Sequence, residues 1–499
     1  MEPIGTTTKF YPFLKQETRE RIDALVEEAE NYRDFTKKLI KSIEQESMAS
    51  ELSQFAVIQT YAAFQYDDEV WTLVLPRCDE DIVTRPWMYS NNPQIQHQEH
   101  QENFNRVVEN ALTSDVPDWI RLHLHFIGAW RAYHWPDCEK HLDAAKNLIE
   151  KQKELECFLP QFCSINGVVK RREGELDDLL QEYQDGLEAA QRHSDVLWIG
   201  EMLQAKAMVI VSHDSHAALE ILNEALEMYK SLGEIASRAA TIGDIGYVST
   251  LMGEYDLALK LYSEGVDIST SAMKMGQIAA ENLVVCIAGI YCDLNQPKQA
   301  IEWISWFNEV QSWGRNPRIE LVLARALIQK GRLDEVPEHL EFSHGWIMHR
   351  GIDGELATYN FVEGLHEFAK GDSKNALRSI EQALVEDERL NYELSINRSL
   401  LTLAQIEVAS AMESKTEKDV NSSGPWMRRL EARAKEKDFP GIRMQHSLLK
   451  AEYQAMIGEP EAAQLTLQDA LTFTDSPGVK TLRMRIKEKL AELDPSIEA

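Results

Sequence analysis

The chain has 499 residues, 44% of them hydrophobic, and sets 52 Lys and Arg against 82 Asp and Glu for a formal net charge of −30. The apolar share is ample for packing and argues against global disorder. The acidity argues against a nucleic-acid binder, which meets phosphate with a basic stripe.

The acidity is uneven. Residues 425–499 hold 12 Lys and Arg and 12 Asp and Glu, so the whole excess lies in 1–424. The cluster Arg428, Arg429, Arg433, Lys435 and Lys437 is either a local basic surface or a contact for self-association with the acidic body of a second copy or for an acidic partner. Six cysteines (Cys78, Cys138, Cys157, Cys163, Cys286, Cys292) form no CxxC and no zinc spacing. The opening MEPIGTTTKF lacks a charged-then-apolar signal, and no run of about 18 apolar residues follows. A cytoplasmic chain with no membrane segment is expected, its thiols acting as small core residues.

In chain order, 17–46 reads as one long amphipathic helix, with Ile22, Leu25, Val26, Ala29, Tyr32, Phe35, Leu39 and Ile43 at three- and four-residue intervals. A second, more apolar helix covers 48–65. Residues 67–96 hold the helix breakers Pro76, Pro86, Asn91, Asn92 and Pro93 beside Trp71, Trp87 and Tyr89, and are expected to form an aromatic loop folded back on the helices. Together 1–116 reads as an N-terminal helical cap, with a separate docking module as the alternative.

From 117 the pattern becomes periodic. In 235–268, Gly246 sits in an apolar helix, Gly253 ends it, and Ala258, Tyr262 and Gly265 share one face of a second helix. Equivalent turn positions recur at Trp135, Gly174, His213, Gly253, Asn295, Gly331, Gly371 and Gly458; from 135 to 371 the gaps are 39, 39, 40, 42, 36 and 40 residues. The final gap of 87 holds a degenerate unit near 400–439 interrupted by the polar stretch ESKTEKDVNSSGP. Small residues such as Gly167, Gly364, Ala376 and Ala383 fall where two helices must cross within roughly 8–10 Å. Pro337 interrupts the second helix of the sixth unit unless that helix starts there.

This pattern resembles the tetratricopeptide repeat, in a long-period form of about 40 residues rather than the usual 34 or so. The resemblance implies an all-α fold, a right-handed α-solenoid of helix-turn-helix repeats with an N-terminal helical cap. About nine repeats would occupy 117–475, and a C-terminal capping helix and tail 476–499.

No phosphate-binding loop, nucleophile elbow or HExxH is present, so no enzyme is expected and no cofactor is implied. His97, Glu99 and His100 offer too few ligands for a metal. His123 and His125, two apart, are expected to be packing or surface residues, and the tryptophans at 303 and 306 to serve inter-repeat packing. In the resembled family the first helix of each repeat lines the concave face. Carried over, that face includes Tyr247, Thr250, Leu251, Val285, Cys292, Leu321, Arg325, Ile328, Thr358, Phe361, Leu365 and Phe368. Of these, Tyr247, Leu251, Val285, Leu321, Arg325, Phe361, Leu365 and Phe368 are the candidate peptide-binding residues. No Lys and Asn pair recurs there, so a carboxylate clamp of the family's kind is not expected. The groove instead reads as apolar and aromatic, either open or buried as core by a tighter superhelix.

The expected function is a scaffold or adaptor holding a protein partner's peptide or amphipathic helix, with basic flanks selected by the acidic rim. The alternative is a regulatory sensor that changes superhelical shape on binding a peptide or small effector.

Overall fold

The computed structural model describes residues 13–64, 74–90, 98–131, 135–173, 175, 178–272, 277–310, 315–350, 353–414, 424–437, 439–473, 476 and 479–493, and among these every regular element is a helix. In order they are α1 (Gln16–Glu28), α2 (Tyr32–Ser42), α3 (Glu51–Phe64), α4 (Arg85–Ser90), α5 (Gln98–Leu112), α6 (Asp118–Arg131), α7 (Trp135–Lys151) and α8 (Leu159–Glu173). Next come α9 (Leu179–Arg192), α10 (Val196–Ile210), α11 (Ser215–Leu232), α12 (Ala236–Leu251), α13 (Tyr255–Ala272), α14 (Gln277–Asp293), α15 (Pro297–Val310) and α16 (Pro317–Gln329). The last are α17 (Val336–Arg350), α18 (Asp353–Ala369), α19 (Ser373–Arg389), α20 (Glu393–Ser414), α21 (Pro425–Glu436), α22 (Pro440–Met456), α23 (Pro460–Ala470) and α24 (Lys480–Leu493).

The long helix expected over 17–46 is two helices. Asn31 caps α2 by accepting the amide of Asp34 at 3.0 Å, and Lys38 donates to the carbonyl of Glu28 at the end of α1. A side chain that satisfies a helix-start amide offers the backbone a stop that apolar spacing alone does not reveal. Within 74–90, Trp87 is buried, as a folded-back aromatic loop requires, but the segment is a 3-10 turn (Leu75–Glu80) and a short helix. Trp71, Asn91, Asn92, Pro93, His97, the side chains of Tyr89, Glu99, His100 and Trp135, the turn position Gly174, and most of the 413–425 insertion lie outside the described residues.

The expected turn residues Gly253, Asn295, Gly331, Gly371 and Gly458 all have positive φ, between 56° and 86°. Each ends a first helix in the left-handed conformation that frees the chain to reverse. Inside the hairpins the small residues sit beneath large ones sixteen positions later. A Cβ added to Gly246 would stand 2.8 Å from the ring of Tyr262, and one on Gly364 2.5 Å from Cγ1 of Ile380; Gly167 likewise faces Tyr183. The sixth hairpin keeps its second helix because a 3-10 turn (Leu333–Glu335) delays it, which places Pro337 in the first turn of α17.

Two compact units divide the chain: 1–209 with 220–241 and 267–279, and 210–219 with 242–266 and 280–499. The first buries Tyr32, Phe35, Leu39, Trp87, Phe104, Trp119, Tyr183 and Tyr229 in one core. His123 belongs to that core, bonding the carbonyl of Trp119 at 2.8 Å, while His125 meets His141 at 3.0 Å. The second unit's core runs from Tyr255 and Tyr262 through Ile304 and Phe307 to Leu482 and Ile486. No helix among the described residues is long and apolar enough to cross a membrane.

Candidate ligand cavity in the second unit

The second unit closes on itself. Residues that end α12 and start α13 meet α22, the α23–α24 segment and α24, although about 190–225 positions separate them. Gln445 donates to the hydroxyl of Tyr255 at 2.7 Å, the amide and hydroxyl of Thr481 donate to Asp256 at 3.1 and 2.8 Å, and Ser476 donates to Glu254. Backbone meets backbone at Gly253 and Gly441: a Cβ on Gly253 would lie 2.6 Å from Cα of Gly441. Only glycine permits that approach while holding φ at +81°.

Beside this closure lies a partly open cavity of about 350 Å³ lined from α12, α13, α14, α16, α18, α20, α22 and α24. One side is apolar: Leu251, Ile328, Phe361, Leu365, Leu394, Leu401 and Ile442. The other is polar and charged: Thr250, Tyr255, Asp293, Gln329, Asn397, Arg398, Gln445, Arg325 and Arg485. The cavity thus has a polar and charged side besides the apolar, aromatic one expected of the groove. Leu251, Arg325, Phe361 and Leu365 line this cavity, as do Thr250, Cys292 and Ile328. Tyr247, Val285 and Phe368 are half-buried away from it, Leu321 is fully buried in the core, and Thr358 is exposed.

The centre of the polar side is Asp293, the last residue of α14. Arg398 grips it with Nε at 3.1 and 2.9 Å from the two oxygens and Nη2 at 2.7 Å, and Arg325 donates from Nη2 at 2.6 Å. Gly289, one turn before Asp293, leaves room for this fork, since a Cβ there would be 3.3 Å from the Arg398 guanidinium. Burial opposes ionisation of Asp293, but the charges of Arg398 and then Arg325 outweigh it and hold the carboxyl below its usual range. Arg325 also lies 5.6 Å from the centre of the Phe361 ring. Burial pushes the Cys292 thiol up to about 11 against the pull of Arg325, so it stays protonated at neutral pH.

Tyr255, Asp293, Arg398, Gln445 and Arg485 are among the residues sequence reasoning missed. Arg398 falls in the unit read as degenerate, and Arg485 in the helix read as a cap. A usable signal was present: Asn397 and Arg398 interrupt an apolar run whose neighbours Ile396 and Leu400 are buried. A charge within a buried stripe points inward.

The basic cluster is partly committed inside the same unit. Arg433 and Lys437 both pair with the buried carboxylate of Glu393, Lys437 at 3.1 Å, and Lys437 also donates to the carbonyl of Ser212. Arg429 pairs with Glu388 at 2.5 Å and Lys435 with Glu431 at 3.0 Å.

No family model and no curated protein matches the sequence. Among solved structures the chain is similar to a Rap protein complexed with Competence and Sporulation Factor, at 14% identity over 74% of this chain and 99% of that one, with a TM-score of 0.38. It is similar to the apo form of the quorum sensor NprR from B. thuringiensis, at 13% identity over 79% and 99% of the two chains, TM-score 0.33. A third is the APC/C hetero-tetramer Cut9–Hcn1, at 12% identity over 97% and 100%, TM-score 0.30. At such identities and TM-scores these likenesses carry no argument about this chain. With small residues beneath large ones in three hairpins and left-handed residues ending five first helices, the chain is a tetratricopeptide-like helical repeat protein.

Proposed function

We propose that the protein is a non-catalytic ligand-binding regulator whose second unit takes a short peptide or small effector into its inner cavity. The observation that carries this reading is the cavity itself, about 350 Å³ with an apolar wall facing a cluster of polar and charged groups. Its size lies at the lower end of the roughly 300–1,000 Å³ typical of ligand pockets. An α-helix with its side chains is roughly 10–12 Å across, so ten residues fill on the order of 1,200 Å³. The scaffold reading, with an amphipathic helix in an open groove, asks for more room than this cavity offers. A sensor's ligand of a few residues asks for less. Filling or emptying the cavity would instead bear on the closure, because Tyr255 and Gln445 line the one and form the other.

Replacing Leu365, which lines the apolar wall without a polar partner, by Trp fills the cavity and adds a fluorescent reporter. A library of short acetylated peptides, screened by thermal shift, is expected to give saturable stabilisation of the wild type and none of Leu365→Trp. Equal responses in two proteins of equal helicity would place binding elsewhere.

A further inference from the structure

We infer that the occupant of this cavity is an organic acid, its carboxylate held by Arg485 together with Arg325 and Arg398 and its apolar body laid against Leu251, Phe361 and Leu365. The inference rests on the cavity being a ligand site, and its warrant is charge. Three guanidinium groups line the cavity against one carboxylate, Asp293, so it carries an excess of two positive charges within a chain whose net charge is −30. Asp293 is committed to Arg325 and Arg398. Arg485 is half-buried and makes no hydrogen bond or ion pair among the described residues, and Nε of Arg325 is buried without an acceptor. Cations withdrawn from water with no counter-ion are costly, and a neutral ligand would make that cost larger by displacing the remaining water.

The fork of Arg398 on Asp293 shows that the cavity already holds one carboxylate bidentately, with Nε and Nη2 at 2.9 and 2.7 Å from the same oxygen and Nε at 3.1 Å from the other. Arginine geometry matches a second carboxylate equally well. Phosphate shares this oxyanion chemistry, but it has no apolar body to lay against Leu251, Phe361 and Leu365. A carboxylate on an apolar body satisfies both sides at once.

The test is calorimetric titration of the whole chain with N-acetyl-leucyl-phenylalanine as the free acid, the same dipeptide as its C-terminal amide, octanoate, and inorganic phosphate. Arg485→Gln removes the uncommitted cation without unpairing Asp293, and Leu365→Trp blocks the cavity. The acids are expected to bind the wild type, the amide to bind at least tenfold more weakly, and Arg485→Gln to weaken the acids by roughly ten- to hundredfold while leaving the amide unchanged. Acid and amide binding equally, both indifferent to Arg485→Gln and both blocked by Leu365→Trp, would overturn the acid while leaving the cavity as a site. Phosphate binding more tightly than either acid would overturn the carboxylate. Absence of binding by every probe, or binding that Leu365→Trp does not change, would overturn the cavity reading and this inference with it.

Discussion

Gly253 offers a perturbation whose cost can be separated into parts. Gly253, Gly331, Gly371 and Gly458 share nearly the same backbone conformation, with φ of 81°, 72°, 86° and 84°. At the last three an added Cβ meets nothing within 4 Å, whereas at Gly253 it would stand 2.6 Å from Cα and 3.1 Å from N of Gly441. Alanine at 331, 371 or 458 should therefore cost only the left-handed strain, about 1–2 kcal/mol. Alanine at 253 adds an overpacking term of about 1–3 kcal/mol, because backbone cannot swing aside as a side-chain tip can. A chain of two units will not unfold in one step, so the reading must be local. Hydrogen exchange followed by mass spectrometry should show Gly253→Ala accelerating exchange in α22 and α24, with Gly371→Ala confined to its own hairpin. Equal, local responses to the two substitutions would refute the closure of the second unit.

Other expectations follow from single contacts. Asp387 is buried, and burial raises its carboxyl to about 7, with Ser399 opposing the shift. The unfolded chain then releases this proton first, so the group subtracts stability as pH rises from about 4 to 7. Asp387→Asn should gain on the order of 2–4 kcal/mol at pH 8 and nearly nothing at pH 4 in calorimetric scans; a gain that is flat with pH contradicts the assignment. Gly364→Ala should destabilise the seventh hairpin by about 1–3 kcal/mol, and Ile380→Ala should cost less in that background than alone, since it removes Ile380 Cγ1, the atom met at 2.5 Å. Strictly additive losses in urea denaturation would count against that contact. Arg433→Met leaves the buried Glu393 with Lys437 alone and should cost about 3 kcal/mol, whereas Glu393→Gln combined with Arg433→Met should cost less. A double variant no better than the single one would mean that the pair is not coupled.

The repeat was legible because its physics is local. A residue that must turn left-handed, and a small residue that must lie under a large one sixteen positions on, leave marks at fixed spacing; Gly253, Asn295, Gly331, Gly371 and Gly458 each stand where they were expected. The break at Ala29–Asn31 was hidden because apolar periodicity runs through it and the helix is interrupted by polar bonds, the cap of Asn31 on Asp34 and the bond of Lys38 to Glu28. The cavity was half legible. Leu251, Arg325, Phe361 and Leu365 follow from the inward face of first helices, but Asp293 and Arg398 meet across 105 positions, and Gln445 reaches Tyr255 across 190. No periodicity within one hairpin records how far a superhelix curls before it meets its own end. That meeting brought Arg485 and Gln445 to a site they could not be assigned from their own repeats.

The most direct measurement is intramolecular crosslinking across the closure. Asp256 and Thr481 lie 225 positions apart, yet two hydrogen bonds of 2.8 and 3.1 Å join them. Asp256→Cys with Thr481→Cys, in a chain whose six native cysteines are replaced, should form a disulfide within the monomer on mild oxidation, with no loss of helicity. A Cys pair at Asp256 and the exposed Lys374 should not. Failure of the first pair to crosslink, or crosslinking only between molecules, would contradict the closed second unit and remove the cavity on which the ligand site depends.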